Sequence, residues 1–247
     1  MRSLIPKWVE DDFRSFMDPV TDAFGRMNLN PNWLTTAGLA LGIVAAILLA
    51  SGLFVLAGGA ILLAGIFDTI DGRLARRSNR VTLFGALYDS TLDRYSEAVI
   101  FFGLGFYYAE SEFHAASIAT VFAAGGAIMT SYVRARAEAL GFQCNIGFMR
   151  RQERVVLLGF GALLTFTHPL FVEFFNWCLN AAGVDLPLRY PPMPLTISVF
   201  LIAVLANVTA AQRLSYVWKQ FRAQQATPKP ESSGGGLRLS PPEAEEK

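Results

Sequence analysis

Residues 65–97 read GIFDTIDGRLARRSNRVTLFGALYDSTLDRYSE. Four aspartates, Asp68, Asp71, Asp89 and Asp93, stand at the near ends of two otherwise apolar runs. Asp68 and Asp71 are three apart and Asp89 and Asp93 four apart, so on helices each pair shares a face. A turn near Ser78–Asn79 would fold the two helices into an antiparallel pair with the carboxylates facing each other at similar depth. An uncompensated carboxylate inside a span costs about 2.5–3.5 kcal/mol. Four together also repel, so positive charge must sit among them. Hard oxygen ligands on facing helices suit Mg²⁺ or Mn²⁺, with places for two ions. No cysteine or histidine is near, which argues against zinc. Two divalent ions bridged by carboxylates suit phosphoryl chemistry. Gly72 and Gly85 clear space beside Asp71 and Asp89, and Arg76 can reach a phosphate. Interfacial aspartates paired with Arg73, Arg76, Arg77 and Arg94 are the alternative, which accounts for one pair better than for two.

Outward from this stretch the chain is strongly apolar. Of its 247 residues, 53% are hydrophobic, and the mean hydropathy of +0.37 excludes an ordinary water-soluble domain. Trp33 to Ile66 and Val99 to Ala109 carry no charge. A span needs about 20 mostly apolar residues. Six such runs lie near 33–54, 57–76, 82–109, 113–138, 154–178 and 194–221. The expected fold is an all-α integral membrane protein of six transmembrane helices, with residues 28–222 forming the membrane domain. Residues 1–27 form an N-terminal amphipathic arm, in which Trp8, Phe13, Phe16 and Met17 recur among Glu10, Asp11, Asp12 and Arg14. That pattern suits an interfacial helix, with a soluble amphipathic arm as the alternative. No cleavable signal is read in it. Residues 223–247, rich in Pro, Gly, Ser and charge, read as a disordered cytoplasmic tail.

Charge sets the orientation. On a six-span count the outer loops near 51–57, 109–114 and 178–193 hold Glu110, Glu112, Asp185 and one basic residue, Arg189. The opposite side collects Arg73, Arg76, Arg77, Arg80, Arg134, Arg136, Arg150, Arg151, Arg154, Lys219 and Arg222. The positive-inside rule then puts both termini and the aspartates on the cytoplasmic side of the cell membrane. Cys144 and Cys178 make neither a disulfide framework nor a zinc site, and His114 and His168 read as interfacial. Arg134, Arg154 and Arg213 converge on the cytoplasmic mouth and suit an acceptor that itself carries a phosphate. Arg150 and Arg151 are open between that role and anchoring to anionic head groups.

The eight positions Asp68-x2-Asp71-Gly72-x2-Ala75-Arg76-x8-Gly85-x3-Asp89-x3-Asp93 match, without a departure, the pattern of the CDP-alcohol phosphatidyltransferases, and the chain resembles that family over about 28–222. The resemblance implies six helices around a polar cavity open to the cytoplasm, a homodimer, and transfer of a phosphatidyl group from a CDP-lipid with release of CMP. It implies that Asp68 and Asp89 bridge two Mg²⁺ ions (Mn²⁺ as the substitute), that Asp71 completes one and Asp93 the other, and that Asp93 takes the acceptor's proton. Pro31, Asn32 and Thr35 look like the family's nucleotide-side element, and Gly72, Arg76 and Thr82 are the other positions expected at CDP.

The elements SYVRARAE and ERVV, with Arg134 and Arg154, resemble the branch that makes phosphatidylinositol phosphate or archaetidylinositol phosphate from L-myo-inositol 1-phosphate. Phosphatidylglycerophosphate synthase, using glycerol 3-phosphate, is the close alternative. The expected partners are CDP-diacylglycerol, a small phosphorylated alcohol and membrane lipids, with no nucleic acid. A cation-coupled transporter is the rival from another class, but the chain shows no internal repeat and its aspartates cluster at one end. A polyprenyl-pyrophosphate enzyme would use DDxxD-like runs, and a scaffold would need no intact motif.

Overall fold

The computed structural model describes residues 17–24, 26, 30–78, 80–181 and 190–226, and among them every regular element is helical. A short helix, α1 (residues 17–24), precedes α2 (Pro31–Ala50), α3 (Phe54–Arg77), α4 (Leu83–Glu110) and α5 (His114–Ala139). Then come α6 (Arg151–Leu163), a 3₁₀ turn (Leu164–Thr167), α7 (His168–Ala181) and α8 (Met193–Ala226). The expectations for Trp8, Phe13 and Phe16, for Asp185 and Arg189, and for residues 227–247 lie outside the described residues, as does Asn79 in the turn before α4.

Local chemistry sets the helix ends nearest the aspartates. Asn30 caps α2, its side chain accepting from the Asn32 N–H at 3.1 Å, and Pro31 at the first position fits because its missing N–H would be unpaired there anyway. The Thr82 hydroxyl caps α4 by accepting from Gly85 N–H at 2.9 Å. At its other end α2 stops where Gly52 takes a φ of 75°, a conformation that glycine adopts without steric cost.

Six helices close a ring in the spatial order α2, α3, α6, α8, α5, α4, with α4 returning to α2. The interior is built from small side chains, among them Ala45, Ala57, Ala119, Ala123, Ala127 and Ala162, around Leu104, Tyr108 and Ile202. Close approach of small residues is how helices pack when lipid already surrounds their apolar faces. The outer surface carries Ile47, Phe102, Phe106, Val121 and Phe122 well exposed, which an aqueous surface would not tolerate. One polar tie crosses the ring, Tyr108 Oη with Thr196 Oγ1 at 2.8 Å, and two join neighbours in it, Thr130 Oγ1 to Ala206 O at 2.9 Å and Thr36 Oγ1 with Tyr88 Oη at 2.9 Å.

Five helical stretches among the described residues are long and apolar enough to cross a membrane: α2, α3, α5, Arg151–Leu179 and α8. The chain is a multi-pass membrane protein. Its α4 spans 28 residues but bears Asp89, Asp93, Arg94 and Glu97 in its first half, so it does not qualify on hydropathy alone.

The run expected at 154–178 is present as the stretch Arg151–Leu179, which passes through the 3₁₀ turn just before Pro169. Proline has no N–H to give and its ring crowds the carbonyl four residues back. One expectation is corrected: α3 and α4 do not pack on one another along their length; both lean on α2, leaving room between their carboxylate faces.

Where α4 crosses α2, a side-chain carbon on Gly103 would run into the Ala46 backbone, whereas one on Gly59 would meet nothing within 4 Å. Gly103→Ala is therefore expected to cost about 1–3 kcal/mol, read as a lower melting temperature in detergent. Gly59→Ala should melt as the parent does.

Candidate active site

All four aspartates lie at one end of the ring, in the second half of α3 and the first half of α4. Asp68, Asp71 and Asp89 each bring a carboxylate oxygen within 4.8 Å of the other two. Asp71 is buried, and the hydroxyl of Thr35 on α2 is in hydrogen-bonding reach of it. Asp71 Oδ2 and Asp89 Oδ1 are buried without any hydrogen-bond partner. An orphaned anionic oxygen in an apolar surround is costly unless a cation meets it. The donor set, carboxylate oxygens alone, fits a hard divalent ion such as Mg²⁺ or Mn²⁺.

Asp93 stands differently. Arg151, the first residue of α6, reaches between it and Asp68: Nη1 lies 2.6 Å from Asp68 Oδ2 and Nη2 lies 2.8 Å from Asp93 Oδ1. The ion pairs that reach Asp68 and Asp93 come from α6, while Arg94, next to Asp93 in sequence, also acts on Asp89 through its charge. Arg73 and Arg77 turn to the arm, pairing with Asp18 at 2.9 and 2.6 Å; Arg77 also pairs with Asp22. They do so because α1 packs Met17, Val20 and Phe24 against Leu34, Ile70 and Leu74 beside that face of α3. Arg94 folds back to donate to Ser90 O on its own helix.

The positions expected at the nucleotide come together at the same end. Arg76 curls over Gly72, so a side-chain carbon added at Gly72 would meet its two terminal nitrogens at 3.6 and 3.7 Å. One added at Gly85 would meet Thr82 Oγ1 at 2.9 Å and Asn32 Oδ1 at 3.6 Å, so the first turn of α2 abuts the cap of α4. Pro31 is buried under them and accepts from Thr35 Oγ1 at 3.3 Å.

The three arginines expected at an acceptor phosphate have distinct settings. Arg134 is about half exposed and holds Glu138 at 2.8 Å, one turn on. Arg213 is buried and donates to Thr130 O at 2.6 Å and Ile146 O at 2.8 Å, which ties α8 to α5 and to the loop before α6. The charges of Arg134, Arg150 and Arg154 act on Arg213, with Arg134 and Arg154 themselves paired to Glu138 and Glu97. Arg154 is buried and fully engaged. Its Nε and Nη2 donate to the two Glu97 oxygens at 2.5 and 2.8 Å, and Nη1 donates to Met149 O at 3.0 Å. Cys144, in the same loop, is buried, and desolvation pushes its thiol up despite Arg213 and Arg134, so it stays protonated.

Glu97 is not singled out by sequence, and Arg151, left open there between an acceptor's phosphate and anionic head groups, lies instead against Asp68 and Asp93. The signal existed: Glu97 continues the Asp89, Asp93 stripe by one turn, and Arg151 and Arg154 are three apart on one face of α6. A larger cavity, of about 310 Å³, opens at the far end of the ring beside Tyr107, His168 and Tyr190. It has no carboxylate in its wall and does not bear on this chemistry.

The CDP-alcohol phosphatidyltransferase family profile matches residues 27–214. The archaetidylinositol phosphate synthase of Methanothermobacter thermautotrophicus is 32% identical over 213 residues, covering 85% of this chain and 92% of that one. The phosphatidylinositol phosphate synthase of Mycobacterium tuberculosis is 31% identical over 212 residues, covering 83% and 87%. A crystal structure of the latter enzyme with CDP-DAG bound superposes with a TM-score of 0.66 at 27% identity, covering 89% of this chain and 98% of that chain. One in complex with manganese and citrate gives 0.64 at 28% identity, covering 89% and 92%.

If the orphaned oxygens await a cation, Asp71→Asn and Asp89→Asn should each weaken Mn²⁺ binding on the order of tenfold or more, as removing ligand charge does. Electron paramagnetic resonance of free Mn²⁺ over detergent-solubilised protein measures this. Asp18→Asn, at the arm, should bind as the parent does.

Proposed function

The chain belongs to the CDP-alcohol phosphatidyltransferase family, and from that premise we propose that it transfers a phosphatidyl group from CDP-diacylglycerol to L-myo-inositol 1-phosphate, releasing CMP. The convergence of Asp68, Asp71 and Asp89 carries the reaction class. The relatives named as archaetidylinositol and phosphatidylinositol phosphate synthases favour inositol phosphate over glycerol 3-phosphate.

Asp68, Asp71, Asp89 and Asp93 would hold two Mg²⁺ ions, for which Mn²⁺ can stand in. Bound there, divalent ions neutralise the pyrophosphate and acidify the acceptor hydroxyl. The chain's own groups do the rest. Arg76, over Gly72, and the abutting helix starts at Pro31, Asn32, Thr35 and Thr82 receive the CDP end of the lipid. The positive mouth of Arg134, Arg154 and Arg213 attracts the acceptor's phosphate, with Arg134 the most exposed of the three. Asp93 accepts the acceptor's proton as the new oxygen–phosphorus bond forms and the bond to CMP breaks. Leaving as the phosphate monoester, CMP carries the displaced electron pair.

Six spans, with α4 as the sixth, belong to the same proposal. At 28 residues and a rise of about 1.5 Å each, α4 is long enough to cross. The basic clusters at the carboxylate end support a cytoplasmic site and cytoplasmic termini in the cell membrane. The assignment of 28–222 as the catalytic domain between an arm and a tail, and the pairing of two copies, follow the family resemblance.

Radiolabelled CDP-diacylglycerol offered with inositol 1-phosphate, glycerol 3-phosphate, inositol or serine tests the acceptor. Product is expected with inositol 1-phosphate and Mg²⁺ and none with chelator; product with glycerol 3-phosphate instead would transfer the assignment to the alternative. Asp93→Asn should keep a monodisperse, folded protein while lowering kcat by on the order of 10²–10⁴-fold, the share of a general base. Ordinary turnover in that variant would remove Asp93 from the proton transfer.

A further inference from the structure

Two arginines of α6 face a row of three carboxylates. Arg151 lies between Asp68 and Asp93, and Glu97 also acts on its charge. Arg154, one turn deeper, is held by Glu97 through two hydrogen bonds. Asp93 and Glu97 are four apart on α4, and Arg151 and Arg154 are three apart on α6, so the helices meet in two rungs. The upper rung joins Arg151 to two metal-ligand candidates; the lower rung joins Arg154, placed above in the acceptor's mouth, to Glu97, which no role in the reaction has claimed.

These rungs differ in surroundings. Arg154 is 2% exposed and the Glu97 side chain 12%, whereas Arg151 is at 24% and Asp93 at 19%. Beside the lower rung lies a void of about 20 Å³ lined by Ser96, Glu97, Arg151 and Arg154 among Ile61, Ile100 and other apolar side chains. That is room for about one water, too little to rehydrate a guanidinium. A buried arginine that lost its partner would have to find another carboxylate, because an unpaired charge there is costly. One turn up α4 from Glu97 stands Asp93, already held by Arg151 in the upper rung.

We propose that Glu97 is a positioning residue that retains Arg154 and so keeps the second α6 arginine from competing with divalent cations for Asp93 and Asp68. The inference rests on the metal-binding reading given above, and it assigns Glu97 no contact with substrate. It makes two predictions of opposite sign. Removing the Glu97 charge sends Arg154 toward the site carboxylates and weakens cation binding. Removing the Arg154 charge frees Glu97 to draw Arg151 downward, away from Asp68 and Asp93, and strengthens it. General damage to the fold would weaken binding in both cases.

The test is Mn²⁺ binding to the detergent-solubilised, full-length protein, read by electron paramagnetic resonance without substrates. Glu97→Gln should raise the Kd about tenfold or more, the usual effect of a residue that orients a metal site from behind. The double variant Glu97→Gln/Arg154→Gln should return to within about threefold of the parent, because both charges leave together. Arg154→Gln alone should bind Mn²⁺ more tightly than the parent. If Glu97→Gln does not fold, the Arg154→Gln arm still decides. Parent-like or weaker binding in Arg154→Gln, or parent-like binding in Glu97→Gln, overturns the proposal. Failure of the parent itself to bind Mn²⁺ would instead count against the metal centre.

Discussion

Four carboxylates at one end of an apolar helix ring must be met by positive charge, and much of the structure is arranged around how that charge arrives. Repulsion among Asp68, Asp71, Asp89 and Asp93 forbids tight packing of the two helices that bear them. They stand apart on a shared support, α2, whose Thr35 reaches Asp71. The gap is what a cation and a pyrophosphate need. The gap also admits an arginine from α6, and Arg151 spans two of the four acids. A guanidinium suits that task because its planar fork engages two carboxylates at once, and because it keeps its charge in surroundings where a lysine would lose it.

The remaining basic residues are sorted by helix face. Arg73 and Arg77, four apart, face the arm and are taken by Asp18 and Asp22; Arg76, on another face, turns back over Gly72. Three arginines within five residues thus have two destinations. Sequence proximity to the aspartates misleads here, because helical geometry and the docking of α1 decide which charge goes where.

Much of the ring was legible beforehand. Charge-free runs carry their structural reason in the residues themselves, and of the four aspartates expected to face one another, Asp68, Asp71 and Asp89 form one cluster. What the sequence did not disclose was lateral order. Nothing in the runs says that α6 stands beside α3, or that α8 lies between α5 and α6. Arg151 and Glu97 depend on that order, so their role could not be read from spacing alone. Likewise Arg154 and Arg213 look free in a string of letters, whereas both are buried and committed to neighbours 57 to 83 residues away. The interruption ahead of Pro169 was visible in principle, since proline inside an apolar run is a known breaker.

Ring closure has a consequence for how the protein is made. A chain synthesised from its N-terminus presents α3 and α4, with all four acids, well before α6 supplies Arg151, and the ring is sealed only when α8 inserts between α5 and α6. For that interval the acids have water and the basic residues near their own ends of the helices as company. The final helix acts as a keystone: the last element to arrive locks in place the neighbours that complete a centre begun a hundred residues earlier.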